Sequence, residues 1–322
     1  MQPFRLCRTC AAANNAALQT ETEMTPLPGK IFEAAPGLRG LLADNPSPMT
    51  GRGTISWIVG EGDVALVDPG PEDAAHARAL REALGRERIT TILVTHAHRD
   101  HSGLARHLAQ EWRAPVLAFG DATAGRSPHM AELAARAELP QGEGTDAGFR
   151  PDVTLADGEI IEGRSWRLEA LHTPGHFGNH LCFAMGRDIL CGDLAMAWST
   201  TIVAPPDGDV AQYLASLRRL AARAPARLLP AHGAAIDRPA ERIAELISHR
   251  GHREAQILAT LATGPANADT LARRIYTDIP TILMGAASMN VLAHLVDLAE
   301  RNLVSLIDPP SRHARFERSA TR

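Results

Sequence analysis

The stretch ITTILVTHAHRDHSG (Ile89–Gly103) places a dense polar cluster directly after a run of hydrophobic residues. The run is rich in β-branched side chains and predicts a buried β-strand. Three histidines and an aspartate follow it within six positions: His96, His98, Asp100 and His101. Alternate residues of extended backbone point the same way, so His96 and His98 can face a common point just past the strand.

The composition of this cluster indicates a metal site rather than a solvated loop. Histidines this dense would repel one another if protonated, whereas neutral imidazoles beside a carboxylate suit a cation. Functional loops of α/β proteins lie at the carboxyl ends of strands. Three later predicted strand ends offer more ligands, each beside a glycine that permits a tight turn: His176 in HTPGH, Asp193 in CGD and His232 in PAHG.

Composition narrows the classes of protein that fit the chain. It has 322 residues, enough for one large domain with an appendage. The net charge of −4 gives no general attraction to nucleic acid or anionic lipid. No apolar run approaches the ~18 residues of a membrane span. We therefore expect no membrane partner and a cytoplasmic location, with organelle targeting left open by the N-terminal extension.

The pattern of predicted elements divides the chain into four parts. Residues 1–23 lack a continuous apolar stretch and are predicted to be a disordered extension. Strands and helices alternate over residues 24–238, which implies α/β layering. Residues 239–309 change to a long helix, two shorter ones and a strand, which together suggest a small winged-helix-like domain. Residues 310–322 are predicted to be a disordered tail.

The order H-x-H-x-D-H, followed by His, Asp and His, resembles the metallo-β-lactamase superfamily of hydrolases over about Pro28 to Arg238. The resemblance implies an αββα sandwich, with a C-terminal helical winged-helix-like domain beside it. It also implies two Zn²⁺ per chain. One would be bound by His96, His98 and His176, and the other by Asp100, His101 and His232, with Asp193 bridging. A histidine at position 98, where the flavo-di-iron branch has glutamate, favours zinc. Iron or manganese is an alternative, because affinity order alone does not decide loading.

The C-terminal segment ISHRGHREAQIL resembles the subgroup that contains the mitochondrial β-lactamase-like endoribonuclease and its bacterial homologues. NPSPMTGRGTISWIVG also fits this subgroup, although Ile55 and Trp57 stand where relatives carry asparagine and tyrosine. Elsewhere in the chain, PAHG replaces the more usual PGHG. These departures remove polar groups near the mouth of the predicted site, so the substrate of the subgroup is not carried over to this chain; the metal ligands are unaffected.

The ligand set implies hydrolysis by a hydroxide shared between two cations. Cations ~3.5–4 Å apart lower the pKa of a shared water towards about 7, and the hydroxide attacks a carbonyl carbon or phosphorus. Asp100 is predicted to orient this nucleophile as well as bind metal. Residues predicted to hold the far nitrogens of the ligands are Asp68, Thr95 and His172. Residues predicted to contact substrate are His180, Arg99 and Trp198.

Three functions stay open on the sequence alone. The favoured one is hydrolysis of a small ester, thioester or lactone. The alternatives are a metal-dependent endoribonuclease or phosphodiesterase, and a winged-helix module that binds nucleic acid without catalysis. The appendage has six arginines against eight acidic residues, and aromatics are only 4% of the chain. Both features weaken nucleic-acid binding. We expect the appendage to cover the mouth of the site or to form a homodimer contact.

Overall fold

The first sheet of the protein has seven strands and changes from antiparallel to parallel pairing at its middle strand. The computed structural model describes residues 26–136, 139, 142, 144–309 and 311–319; the predicted extension 1–23 lies outside them. Strands β1 to β4 are antiparallel, and β4 to β7 are parallel. They lie side by side in chain order: β1 Ile31–Ala35, β2 Leu38–Leu42, β3 Ile55–Val59, β4 Asp63–Val67, β5 Arg88–Leu93, β6 Val116–Ala118 and β7 Val153–Thr154.

The second sheet has five strands in the order β12-β11-β10-β9-β8. Only β11 and β12 run parallel. Because β10 is antiparallel to both neighbours, the carboxyl ends of β9, β11 and β12 meet at one edge. The strands are β8 Ile160–Glu162, β9 Arg167–His172, β10 Leu181–Met185, β11 Asp188–Gly192 and β12 Arg227–Pro230.

In the part of the chain that the structure describes, five helices accompany these sheets, and local capping fixes several of their ends. The Asp73 carboxylate accepts from the backbone N–H of His76 at the start of α1, and Gly85 ends that helix with a φ of 58°. Ser127 and Asp209 cap α4 and α5 in the same way. The helices are α1 Ala74–Leu84, α2 Arg99–Ser102, α3 Ala105–Trp112, α4 Pro128–Ala135 and α5 Val210–Ala222.

Alternation along the strands produces an αββα sandwich, as predicted. In β4, Ala65 and Val67 face the core between the two sheets, where Phe183 of β10 also packs. Val64 and Leu66 point the other way, into the core shared with α1 and α3. Helix α5 covers the outer face of the second sheet.

The C-terminal part is the predicted winged-helix domain. It contains α6 Pro239–Leu261, α7 Ala268–Ile275, a 3₁₀ turn Thr281–Leu283 and α8 Met284–Glu300, beside the short strands β13 Ala266–Asn267 and β14 Val304–Leu306. Helix α6 belongs to both domains. Its Ile243 and Leu246 pack in the core beneath α5, whereas Ile257 and Leu261 pack in the winged-helix core.

The sequence predicts no apolar run of membrane-spanning length, but the segment Thr281–Glu300 is long and apolar enough, by composition, to cross a membrane. More than half of that window is buried in the structure, at 56%. Its Leu292, Leu295 and Leu298 lie in the winged-helix core. A central core helix of a folded domain has this composition for packing reasons.

The prediction of a disordered tail from residue 310 was wrong over part of its length. Arg315–Arg318 form strand β15, which pairs antiparallel with β13 on one side and β14 on the other. Phe316 is buried in the winged-helix core, while Arg315 and Glu317 point to solvent. A single buried side chain in a four-residue strand gives too short an alternation to recognise in sequence.

Phe316→Ala should destabilise the winged-helix domain by about 3 kcal/mol, because it removes a buried aromatic ring from a packed core. Urea unfolding followed by circular dichroism measures this difference. Arg318→Ala on the same strand is the control, and its exposed side chain should leave stability unchanged within about 0.5 kcal/mol. Equal stability of the two variants would contradict a packed role for β15.

Candidate metal centre

The predicted ligands converge at one edge of the sandwich, past the carboxyl ends of several strands. His96 follows β5, His176 follows β9, Asp193 follows β11 and His232 follows β12. Two backbone hydrogen bonds join the sheets here: Leu181 N donates to Thr95 O at 2.8 Å, and Ile55 N donates to Ala231 O at 2.8 Å. The loops are therefore held against one another by the backbone itself.

A first group of donor atoms comprises three imidazole nitrogens and one carboxylate oxygen, all within 4.8 Å of one another. His98 Nδ1 lies 2.8 Å from His96 Nε2 and 3.1 Å from His176 Nε2. Asp193 Oδ2 lies 3.6 Å from His176 Nε2.

A second group is formed by Asp100, His101 and His232. Asp100 Oδ2 lies 3.4 Å from Nε2 of each histidine. The other carboxylate oxygen of Asp193, Oδ1, lies 3.6 Å from His101 Nε2 and 3.3 Å from His232 Nε2. Asp193 therefore faces both groups, with one oxygen towards each.

The donor atoms of both groups are arranged to bind metal ions rather than to hydrogen-bond with one another. His101 Nε2 and Asp193 Oδ1 are buried without a hydrogen-bond partner among the described residues, which is costly unless something else binds them. Tetrahedral zinc with bonds of about 2.0–2.1 Å sets its ligand atoms about 3.3 Å apart, close to the spacing of the second group. The site thus has the donor types and the spacing that a divalent metal requires.

The far nitrogens of four ligand histidines are each held by a neighbouring group. Asp68 accepts from His101 Nδ1 at 2.9 Å and from Thr95 Oγ1 at 2.8 Å. Thr95 Oγ1 is in turn 3.0 Å from His96 Nδ1. Such contacts fix the tautomer and leave Nε2 to bind metal. The structure therefore places Asp68 and Thr95 where the sequence predicts them.

Backbone carbonyls hold the other two histidines. His176 Nδ1 lies 2.7 Å from Ile202 O, and His232 Nδ1 lies 3.1 Å from Gly53 O. Sequence reasoning missed both carbonyls, because any residue can supply one. It also missed Thr54, whose hydroxyl donates to Asp100 Oδ2 at 3.0 Å and accepts from Asn45 Nδ2 at 3.0 Å.

The histidines of the two donor groups differ in charge. Burial, with the neighbouring His176, lowers the pKa of His98 to about 3, so this imidazole is neutral at pH 7. Burial also lowers the pKa of His232, but the carboxylates of Asp193 and Asp100 outweigh it and raise that pKa to about 10. The pKa of His101 is likewise held well above its ordinary value, against burial, by the same carboxylates.

Two predicted roles need correction. His180 is fully buried, so it cannot touch substrate. Its Nε2 instead accepts from the backbone N–H of Asp193 at 3.2 Å, and its Nδ1 is 3.0 Å from Thr173 Oγ1. His172 stacks on Phe119 with ring centroids 3.6 Å apart and bonds Gly178 O at 2.9 Å. It supports the loop carrying His176 rather than a ligand ring.

The other predicted substrate contacts lie at the surface near the site. Arg99 begins α2 and is exposed. Trp198 is 47% exposed, and its Nε1 donates to His232 O at 3.3 Å. The ring lies so close to Gly51 and Gly233 that a Cβ at either position would be within 3.2 Å of it. Trp198 therefore forms a fixed apolar wall beside a predicted ligand.

Comparison with known proteins identifies the family. Residues 49–232 match the model of the Metallo-beta-lactamase superfamily, and residues 268–308 match the Beta-lactamase associated winged helix domain. The chain belongs to the metallo-β-lactamase superfamily and is a metal-dependent hydrolase.

Two curated relatives illustrate the range of this similarity. The Beta-lactamase-like protein 2 homolog of Drosophila melanogaster is 32% identical over 270 residues, which cover 80% of this chain and 86% of the relative. The Atrochrysone carboxyl ACP thioesterase of Aspergillus fumigatus is 28% identical over 232 residues, or 70% and 65% of the two chains.

Solved structures agree with the fold. A metallo-beta-lactamase family protein from Thermus thermophilus is 28% identical, with a TM-score of 0.73 over 89% of this chain and 100% of that one. A beta-lactamase domain protein from Burkholderia ambifaria, 23% identical, superimposes with a TM-score of 0.76 over 92% and 96% of the chains.

Metal binding should tighten as pH rises and should release protons. The raised pKa values of His101 and His232 mean that a cation must displace their protons at pH 7. Calorimetric titration of chelator-treated protein with Zn²⁺, in two buffers of different ionisation enthalpy, counts the protons released. His232→Asn should release fewer. Binding that is independent of pH between 6 and 8 would contradict this electrostatic arrangement.

Proposed function

We propose that the protein is a binuclear zinc-dependent hydrolase of a small thioester, ester or lactone. The observation that carries the proposal is the orientation of Asp193, whose two carboxylate oxygens face two separate groups of imidazole nitrogens. A carboxylate so shared suits two ions. The imidazole-rich donor set suits zinc, with iron or manganese as alternatives.

The first ion would be held by His96, His98 and His176, and the second by Asp100, His101 and His232, with Asp193 between them. Two divalent ions at this place would activate a water and polarise the bond to be cleaved.

Asp100 is the residue of this set best placed to orient the attacking water as well as bind metal. Its side chain is 27% exposed, whereas that of Asp193 is 11% exposed. The Thr54 hydroxyl donates to Asp100 Oδ2, which keeps that oxygen turned inward. Oδ1 would then be the atom left to orient an entering water.

The surroundings of the site favour a partly apolar substrate with an anionic end. Trp198 and Met49 are both exposed, and Gly51, two residues after Met49, packs against the Trp198 ring. The guanidinium of Arg99 would suit a carboxylate or phosphate on the substrate. The fungal relative named as a thioesterase supports a thioester among the three candidate bonds.

A cytoplasmic location and a small-molecule substrate complete the proposal. Cys182 and Cys191 are both free and buried, and burial raises the pKa of Cys182 to about 12. Unpaired thiols are ordinary in a reducing compartment.

Metal analysis and a substrate panel test the proposal. Protein purified without chelator should carry close to two metals per chain, and Asp193→Asn should carry less and lose turnover. Asp188→Asn, at the start of the strand that Asp193 follows and paired with Arg227, is the matched control and should behave as wild type. One metal or none in the wild-type protein would contradict a binuclear site.

The panel compares S-lactoylglutathione, an acyl-homoserine lactone, bis-p-nitrophenyl phosphate and single-stranded RNA. Turnover of the thioester or lactone is expected, and RNA cleavage without ester turnover would overturn the proposed substrate class.

Trp198→Ala should raise KM for an apolar acyl thioester by about 10-fold with little change in kcat, because the ring would contribute uniform binding. Trp198→Phe keeps an apolar face and should stay within about threefold of wild type. An unchanged KM in Trp198→Ala would exclude this ring from the substrate site.

A further inference from the structure

The segment that follows Asp193, residues 194–203, touches three predicted ligands: Asp193, His176 and, through Trp198 Nε1, the backbone oxygen of His232. We call it the 194–203 loop. Thr201 Oγ1 donates to the backbone oxygen of Asp193 at 2.8 Å and to Leu194 O at 3.1 Å. Ile202 O accepts from His176 Nδ1 at 2.7 Å. A shift of this loop would therefore move ligand atoms of the first donor group.

Helices of the winged-helix domain hold the same loop from the other side. Asn290 of α8 uses its Oδ1 to accept from Val203 N at 2.9 Å and from Arg250 Nη1 at 2.9 Å. Arg250 Nη2 donates to Thr201 O. The loop is thus bound by side chains that lie 40 or more positions away in the chain.

Arg242, two turns before Arg250 on α6, extends these contacts along the loop. Its Nε donates to Met196 O at 2.9 Å, and its Nη2 donates to Ser199 O at 2.7 Å. Three side chains of the C-terminal helices therefore bind backbone atoms between residues 196 and 203.

The burial of Arg250 shows how specific this contact is. The residue is only 2% exposed, and its guanidinium lies over the Tyr213 ring, 5.1 Å from the centroid. Burying a guanidinium is costly unless its N–H groups are satisfied. Here Asn290 Oδ1 and the carbonyl of Thr201 each accept from one of them. A leucine or methionine would fill a domain interface at lower cost, so packing alone does not account for an arginine here.

We propose that Arg250 and Asn290 are positioning residues, through which the winged-helix domain holds the 194–203 loop and with it the metal-binding geometry of His176 and Asp193. The inference rests on the proposed metal centre. It assigns the C-terminal domain a task inside its own chain, apart from any partner.

Asn290→Leu and Asn290→Asp test the proposal as a pair. Leucine is close to asparagine in size but cannot accept from Val203 N. Aspartate keeps Oδ1 and should rescue the contact. The matched control is Arg253→Met, on the same face of α6, because Arg253 packs over the Tyr276 ring at 4.1 Å and bonds Gln256 rather than the loop.

The measurements are the visible spectrum of the Co²⁺-loaded full-length protein, competition with a chelator, and kcat with KM. Asn290→Leu should bind cobalt about 10-fold more weakly, as is usual when groups supporting ligands are removed, and should change the spectrum. Its kcat should fall because the metal-binding geometry is disturbed; KM is not diagnostic, because Trp198 belongs to the same loop, so the spectrum and the cobalt affinity decide the test. Asn290→Asp and Arg253→Met should match wild type.

Arg242→Gln is a second variant. The Arg242 side chain is 19% exposed and lies near the surface, so the fold should tolerate the change. It should shift the cobalt spectrum in the same direction as Asn290→Leu. Wild-type spectra and cobalt affinity in both variants would overturn the positioning role while leaving the metal centre intact. A wild-type protein that takes up no cobalt would instead refute the metal centre itself.

Discussion

The carboxylate of Asp193 is the group on which the arrangement of the site depends. It is buried, it faces imidazoles on both sides, and one of its oxygens has no hydrogen-bond partner among the described residues. A buried anion of this kind is tolerated only where positive charge surrounds it. In the protein alone, the cationic forms of His101 and His232 supply that charge and hold the pKa of Asp193 well below its usual range, against the effect of burial. A divalent cation would supply the same stabilising positive charge.

The fold brings the ligands together because several strands end at one edge of the sandwich. Parallel strands β4 and β5 deliver Asp68 and the histidine cluster, while β9, β11 and β12 deliver His176, Asp193 and His232. Four of the five ligand rings are then held by a partner on the far nitrogen, so little conformational entropy of these rings remains to be lost on binding metal. Some of these partners, such as Asp68 and Thr95, come from the strands themselves. Others, such as the carbonyl of Ile202, come from a loop that has no regular structure of its own.

That loop is where the two domains meet. A loop of this length cannot fix its own backbone, and its carbonyls need donors wherever water is excluded. Arg250, Arg242 and Asn290 supply them from helices that belong to the winged-helix domain. The long helix α6 packs in both cores, so the two domains are joined by a continuous rigid element as well as by hydrogen bonds. A domain type often associated with nucleic acid is here integrated with the wall of a hydrolase site.

The α/β layering, a C-terminal winged-helix-like domain and the seven candidate donor residues could be predicted from the sequence. These features follow from local patterns: strand alternation, helix caps and a histidine cluster placed at a strand end. Tertiary structure alone decided the rest. The sequence predicts that His180 contacts substrate, but its side chain is buried and bonds the backbone of Asp193. A position at the start of a strand does not show how deeply a side chain is buried. The strand at Arg315–Arg318 exists because Phe316 finds a core built by distant helices. The bond between Asn290 and Val203 joins residues 87 positions apart, and no periodicity in the chain encodes a contact that only folding brings together.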